Sequence, residues 1–307
     1  MGKSTREAYG LALAELGEKN DKVVVLDADL SGSTKTGTFK KVFPDRFYNF
    51  GIAEADMMCA AAGFAFSGYT PFASTFAVFG TGRAFEQIRN SIAYTKANVK
   101  MAFTHAGISV GEDGGSHQSL EDIALMRTLP NVTVFCPCDA AETKKAVMAA
   151  AEMDGPVYLR LGRSSCDDVT DENTPFVPGK AVVLKEGTDA AIFATGLMVS
   201  IALKAAAALD AEGISTAVVD FHTIKPFDEE TVLAYNGKVK AIVTAEEAFV
   251  VGGLGSAVAE TIAGKGGAKF ARVGVEDKFG QSGNPNALFE LYGLTVENIV
   301  AKVKGLL

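Results

Sequence analysis

The chain has 307 residues, 48% of them hydrophobic, and its 37 acidic against 29 basic side chains give a formal charge of −8. This length exceeds one ordinary domain, the composition can bury more than one core, and the acidic balance offers no electrostatic footprint for nucleic acid. No apolar run approaches the roughly 20 residues that cross a bilayer, and the opening MGKSTREAYG lacks the apolar core of a signal peptide, so a cytoplasmic, membrane-free protein is expected. The cysteines Cys59, Cys136, Cys138 and Cys166 lack paired C-x-x-C spacing and are read as reduced structural thiols.

From the N-terminus, a helical pattern over Arg6 to Leu16 leads into a β-branched run, Val23 to Leu26. Strands are predicted over Tyr48 to Phe50, Val99 to Phe103, Val132 to Phe135 and Val157 to Leu161, alternating with helices at Glu54 to Phe66, Arg83 to Tyr94 and Ala140 to Glu152. Alternation of this kind builds parallel sheets with crossover helices. Then comes CDDVTDENTPFVPGK (Cys166 to Lys180), with four acidic residues and two prolines, which should be solvated and extended. A second series follows, with strands at Ala190 to Ala194, Ile214 to Val219, Lys240 to Thr244 and Phe270 to Val275, and helices near Val199 to Ala211, Gly255 to Ala263 and Thr295 to Val303. The expected fold class is α/β in two domains: a parallel-sheet domain over 1–165, a linker over 166–186, and a smaller α/β domain over 187–307.

In open parallel sheets ligands bind beyond the carboxyl ends of the strands, and the polar clusters of the first domain fall there. After the first strand comes DADLSGSTKTG, loop-like and rich in carboxylates and hydroxyls. After Tyr48 to Phe50 comes Glu54, entering an almost wholly apolar helix. A carboxylate there is costly unless paired or protonated, although a helix-N-terminal acid stabilised by the macrodipole is the plainer reading. The segment Thr104 to Gln118 concentrates two of the chain's three histidines, His105 and His117, with two acids and four glycines. A zinc site is the rival reading there, but the histidines are twelve positions apart and no H-E-x-x-H accompanies them. Arg160 and Arg163 could each grip a phosphate or carboxylate, or sit as solvated charges. The stretch GGLGS (Gly252 to Ser256) lacks dinucleotide spacing and the Walker lysine, and reads as a tight strand-to-helix connection.

Taken together, ADLSGS (Ala28 to Ser33), NFGIAEADM (Asn49 to Met57), YTPFASTFAVF (Tyr69 to Phe79), THAGISVGEDGGSHQ (Thr104 to Gln118), MRTLPN (Met126 to Asn131) and LRLGRS (Leu159 to Ser164) resemble the pyrimidine-binding and C-terminal domains of the transketolase family. FHTIKPFD (Phe221 to Asp228) is similar to a segment shared with 2-oxoacid dehydrogenase β subunits and deoxyxylulose-phosphate synthase. The resemblance implies thiamine diphosphate as cofactor, with Glu54 hydrogen-bonding N1′ of its aminopyrimidine to promote the imino tautomer. It implies that Phe76 and Phe79 flank the ring, that Asp29 is an acid near the cofactor at the subunit interface, and that the expected third aromatic is replaced by Gly82. Arg6, Ser33, His105 and Arg163 match a sugar-phosphate grip, Asp113 an acid reading a sugar hydroxyl, and His117 a second active-site histidine, so that Glu54, His105 and His117 carry the catalytic roles.

The implied reaction is transfer of a two-carbon ketol unit from a ketose phosphate to an aldose phosphate, as in the pentose phosphate pathway. The G-D-G…N motif that binds the diphosphate through Mg2+ is missing, and Gly111 to Gly114 is no substitute. The resemblance therefore implies the C-terminal subunit of a split transketolase, without metal ligands of its own, working with an N-terminal subunit in an α2β2 assembly. Two alternatives stay open: a related enzyme subunit acting on another ketose or 2-oxoacid donor, and a non-catalytic paralogue.

Overall fold

The computed structural model describes residues 2–307. Its first domain comprises α1 (Thr5–Lys19), β1 (Val23–Asp27), α2 (Ser31–Thr34), α3 (Gly37–Val42), β2 (Phe47–Asn49), α4 (Glu54–Phe66), β3 (Thr70–Ser74), α5 (Phe85–Gln87), β4 (Lys100–Phe103), α6 (Asp122–Thr128), β5 (Thr133–Phe135), α7 (Ala140–Glu152) and β6 (Val157–Arg160). The second holds β7 (Val182–Lys185), β8 (Ala190–Ala194), α8 (Met198–Ala211), β9 (Thr216–Asp220), β10 (Thr223–Lys225), α9 (Glu229–Lys238), β11 (Ala241–Phe249), α10 (Leu254–Ile262), β12 (Lys269–Val275), α11 (Pro285–Leu291) and α12 (Val296–Leu306).

The first sheet runs β10-β5-β6-β4-β3-β1-β2 and is parallel except for β10. Successive side chains on a strand face opposite sides, so Val23 and Val25 of β1 join α1 and α7 in one core layer. Val24 and Leu26 join Met57, Met58 and Ala61 of α4 in the layer on the other side. All five β1 residues are buried, as expected of a strand covered on both faces. The second sheet runs β12-β11-β8-β9-β7, parallel except for β7.

Four features depart from the sequence reading. β3 pairs β1 and β4 at the centre of the sheet although Pro71, which cannot donate to a ladder, sits in it. β7 follows the stretch Cys166 to Lys180, falls inside the 166–186 span assigned to the linker, and pairs antiparallel with β9. The expected helix over Arg83 to Tyr94 is instead two π-turns, Phe79–Arg83 and Ile88–Ala93, around the short α5. Finally β10, within FHTIKPFD, leaves its own domain and adds antiparallel to β5, with Thr223 opposite Phe135 and Lys225 opposite Val134.

Two more contacts close the seam between the domains. His222, buried, stacks on Phe176 with centroids 4.1 Å apart. Cys138, Glu142 and Asp220 each bring a donor atom within 4.8 Å of the others, joining the start of α7 to the end of β9 in full burial. Among the described residues, no helix is long and apolar enough to cross a membrane.

Candidate functional site

The carboxyl ends of the first domain's strands form one mouth. After β1 come Asp29 and Ser33, after β2 Glu54, after β3 Phe76 and Phe79, after β4 His105, and after β6 Arg163. The stretch after β1, expected to be a loop, folds into α2 and α3 because the buried Asp27 carboxylate organises it. Asp27 accepts from Leu30 N–H at 2.6 Å, Thr34 Oγ1 at 2.7 Å and Thr36 Oγ1 at 2.8 Å. Asn49, at the end of β2, does the same for its neighbours. Its Oδ1 accepts from Asp29 N–H at 3.1 Å and Gly51 N–H at 3.0 Å, while its Nδ2 donates to Asp29 Oδ1 at 2.8 Å. Asp29 is exposed and held to Asn49 rather than to Glu54, so the structure places it on the rim.

Glu54 starts α4 and is only 5% exposed. Arg83 donates to its Oε1 at 3.2 Å, and among the described residues its Oε2 accepts no hydrogen bond. The Arg83 guanidinium lies 4.2 Å from the Phe79 ring centroid. Phe79 stacks on Phe76 (5.7 Å, 20°), and Phe76 stacks on His105 (3.8 Å, 24°). His117 meets Phe79 edge-on at 5.3 Å and is turned by Ser116 Oγ, 2.9 Å from Nδ1. Glu54, Phe76, Phe79, His105 and His117 are thereby linked in one chain of aromatic and ionic contacts.

The second cluster centres on His105. Arg6 donates to Ser33 O at 2.9 Å and lies 3.4 Å from His105 Nε2. Guanidinium can only donate, so Nε2 is the acceptor and Nδ1 carries the proton toward Thr104 Oγ1, 2.8 Å away. Burial, then the charges of Arg6 and Arg163, push the imidazole down to about 3, so it is neutral at physiological pH. Burial and the like charge of Arg163 also lower Arg6, which Glu7 and the exposed Asp113 oppose. Gly162 N–H donates to Thr5 Oγ1 at 2.7 Å, which brings the start of α1 to the end of β6 and Arg6 toward Arg163. Arg163 donates to Val110 O and to Glu112 Oε2, the latter at 3.2 Å. Two cations and a neutral histidine thus lie close enough to feel one another's charge, a set of donors suited to an anion.

The second domain braces the loop that carries these residues. Ser109 N–H donates to Glu247 Oε1 at 2.6 Å, and the left-handed Gly107 (φ 85°) lies so close that an added Cβ would meet that oxygen at 2.3 Å. Gln118 Nε2 donates to Ile108 O, Gly111 O and, from the other domain, Gln281 O at 3.0 Å. Glu247, Gln118, Asp27, Asn49 and Arg83 were given no role by sequence reasoning, and only Asn49 carried a signal, its place before the turn glycine in N-F-G. Arg160 is corrected: it points away from the mouth into a buried ion pair with Asp122 (2.7 Å) and donates to Glu247 O at 2.9 Å. Arg160 therefore holds the domains together and grips no ligand. GGLGS joins β11 to α10, whose first N–H groups, from Leu254 and Gly255, are capped by Glu246 at 2.8 Å.

These residues suit an aminopyrimidine. A buried carboxyl has one free oxygen, a stacked aromatic pair stands beside it, and open space lies where a Gly82 Cβ would be. The group of three metal-capable side chains, Cys138, Glu142 and Asp220, is buried between α7 and β9 instead. Residues 1–167 match the model of the transketolase pyrimidine-binding domain and residues 179–299 that of the transketolase C-terminal domain. The chain belongs to the transketolase family. It is similar to the putative transketolase C-terminal section of Methanocaldococcus jannaschii, at 47% identity over 98% of this chain and 95% of that protein. It is also similar to the 6-deoxy-6-sulfo-D-fructose transketolase subunit of a Clostridium species, at 43% identity over 96% of this chain and 92% of that one. Among solved structures it resembles a split gene transketolase described as an inactive beta4 tetramer, at 55% identity and TM-score 0.93, over 99% of this chain and 98% of the other. Its two domains are those of the C-terminal half of a transketolase, and the transketolase fold explains why the site lies along one row of strand ends.

Proposed function

We propose that this chain is the C-terminal subunit of a two-subunit transketolase that transfers a two-carbon ketol unit from a ketose phosphate to an aldose phosphate, its N-terminal partner holding the diphosphate and Mg2+. The observation that carries this reading is the buried Glu54, beside the stacked Phe76 and Phe79 and joined through His105 to the Arg6 and Arg163 grip. Bound thiamine diphosphate supplies the carbon nucleophile and the electron sink.

The chain's own residues do the rest. Glu54 presents its free oxygen to N1′ of the pyrimidine, and Phe76 and Phe79 offer flat apolar faces to the ring. Asp29 completes the rim on the partner side. Arg6, Ser33 and Arg163 hold the sugar phosphate, Asp113 reads a hydroxyl, and the neutral His105, with His117, orients the sugar oxygens by hydrogen bonding. The partner has apolar groups to meet: Ile52 (79% exposed), two residues before Glu54, Phe66 (65%) at the far end of α4, and Tyr94 (82%), which follows the 88–93 π-turn. An α2β2 assembly in the cytoplasm follows from this reading.

A coupled assay with xylulose 5-phosphate, ribose 5-phosphate, thiamine diphosphate and Mg2+ tests it. Turnover is expected only when this chain is mixed with its N-terminal partner, and turnover by the chain alone would refute the divided site. A second reading has specific support: one similar protein acts on a sulfonated fructose. Paired arginines bind sulfonate as they bind phosphate, so preference for the sulfonated donor in the same assay would select that reading.

A further inference from the structure

We propose that Arg83 is a positioning residue for the Glu54 carboxyl and, with Phe79, forms the wall of the pyrimidine site that Gly82 leaves open. This rests on the proposed function. The π-turn Phe79–Arg83 offers few side chains to the mouth. Thr81 turns inward, its Oγ1 donating to Ala77 O at 2.7 Å, and Gly82 has none, with nothing within 4 Å of where its Cβ would be. Arg83 is the side chain of this turn that reaches Glu54.

Two contacts hold the arginine in place although its side chain is 57% exposed: donation to Glu54 Oε1 at 3.2 Å and the guanidinium carbon 4.2 Å from the Phe79 ring centroid. The consequence falls on Glu54, whose own side chain is 6% exposed. With Oε1 held, the carboxyl cannot turn freely, and it presents its other oxygen in one orientation. A carboxyl that must meet a single ring nitrogen works best when its rotamer is fixed before the ring arrives. A lysine in place of Arg83 would keep the charge and lose the guanidinium's contact with the ring; a methionine would keep bulk and lose the hydrogen bond.

The test uses the complex reconstituted with its N-terminal partner, thiamine diphosphate and Mg2+. Two quantities are read: the cofactor's dissociation constant by calorimetry, and exchange of its C2 proton for deuterium by NMR. Arg83→Met is expected to slow exchange about tenfold and to weaken cofactor binding several-fold, with Arg83→Lys recovering part of both. In Glu54→Gln, whose exchange is already suppressed, adding Arg83→Met is expected to change exchange no further, since a residue acting through another shows no separate effect once that other is gone. Wild-type exchange in Arg83→Met, or full additivity in the double variant, would overturn the role of Arg83 while leaving Glu54 in place. Unaltered exchange in Glu54→Gln, or no cofactor binding by the wild-type complex, would instead bring down the reading of the site, and Arg83 with it.

Discussion

His105 shows how a residue's chemistry is set by its surroundings. Its left-handed backbone (φ 58°) turns the ring from the end of β4 onto Phe76, while burial and two arginines keep it neutral. Arg6 is its complement, a cation whose Nε is buried without a partner and whose Nη1 already serves Ser33 O and His105. An anion entering here would satisfy donors that the chain leaves underused. Arg6→Met is therefore expected to raise KM for phosphorylated acceptors roughly ten- to a hundredfold, the worth of a charge-assisted hydrogen bond, and to leave unphosphorylated acceptors little changed. Steady-state kinetics with ribose 5-phosphate against glycolaldehyde would show it. Equal loss on both would deny Arg6 a phosphate role. By residue type alone Arg6 is an ordinary arginine near the start of a helix; the family resemblance singled it out, and the bond from Gly162 to Thr5 explains how it reaches the mouth.

At the scale of elements, α7 and β9 meet through Glu142 and Asp220. Glu142 Oε2 accepts from Cys138 N–H at 2.7 Å, but Glu142 Oε1 and both Asp220 oxygens lack donors. Burial, then the other's negative charge, pushes Asp220 well above the ordinary carboxyl range, and burial raises Glu142 as well. Cys138 and Asp139 are the other titratable groups facing the pair, and neither brings positive charge. A proton between the two carboxyls relieves the repulsion. Because the folded-state values are raised, the folded chain binds the proton more tightly than the unfolded one, so this stability is full at acid pH and is lost as pH rises through the raised values. Asp220→Asn supplies a permanent N–H donor to Glu142. It is expected to raise Tm by about 2–4 °C at pH 8.5, for one hydrogen bond gained, and to leave Tm nearly unchanged at pH 5. Thermal denaturation at both values decides it, and a lower Tm at pH 8.5 would reject the shared proton. Such a pairing has no local signature, since Glu142 and Asp220 lie on different domains and each reads as an ordinary acid.

For the whole molecule, the mouth is built from one domain and braced by the other through Glu247, Gln281 and β10. What the chain does not cover is the α4 face. Phe66, the last residue of α4, is 65% exposed, as are Ile52 before the helix (79%) and Tyr94 after the 88–93 π-turn (82%), and large apolar side chains left in water are the ones a partner would cover. Phe66→Glu is expected to weaken subunit assembly at least about tenfold by placing a charge in a desolvated contact. Light scattering on the mixed subunits would measure this, with circular dichroism confirming the fold. Unchanged assembly would move the partner to another face.

Local pattern determined a good deal by itself. The β-branched runs after α1 and before α7, the apolar helix behind Glu54 and the glycine- and histidine-rich segment after β4 all announced an α/β chain with polar clusters after its strands, because strand period, helix period and turn chemistry are written in neighbouring residues. The family followed from motifs in order. Tertiary structure alone decided the rest: a strand through Pro71, a strand lent by FHTIKPFD to the other sheet, π-turns hidden inside a helical period, Arg160 turned inward and Arg83 turned onto Glu54. Each depends on which charge or hydrogen-bonding group a distant segment brings near, and a chain read one window at a time carries no record of that distance.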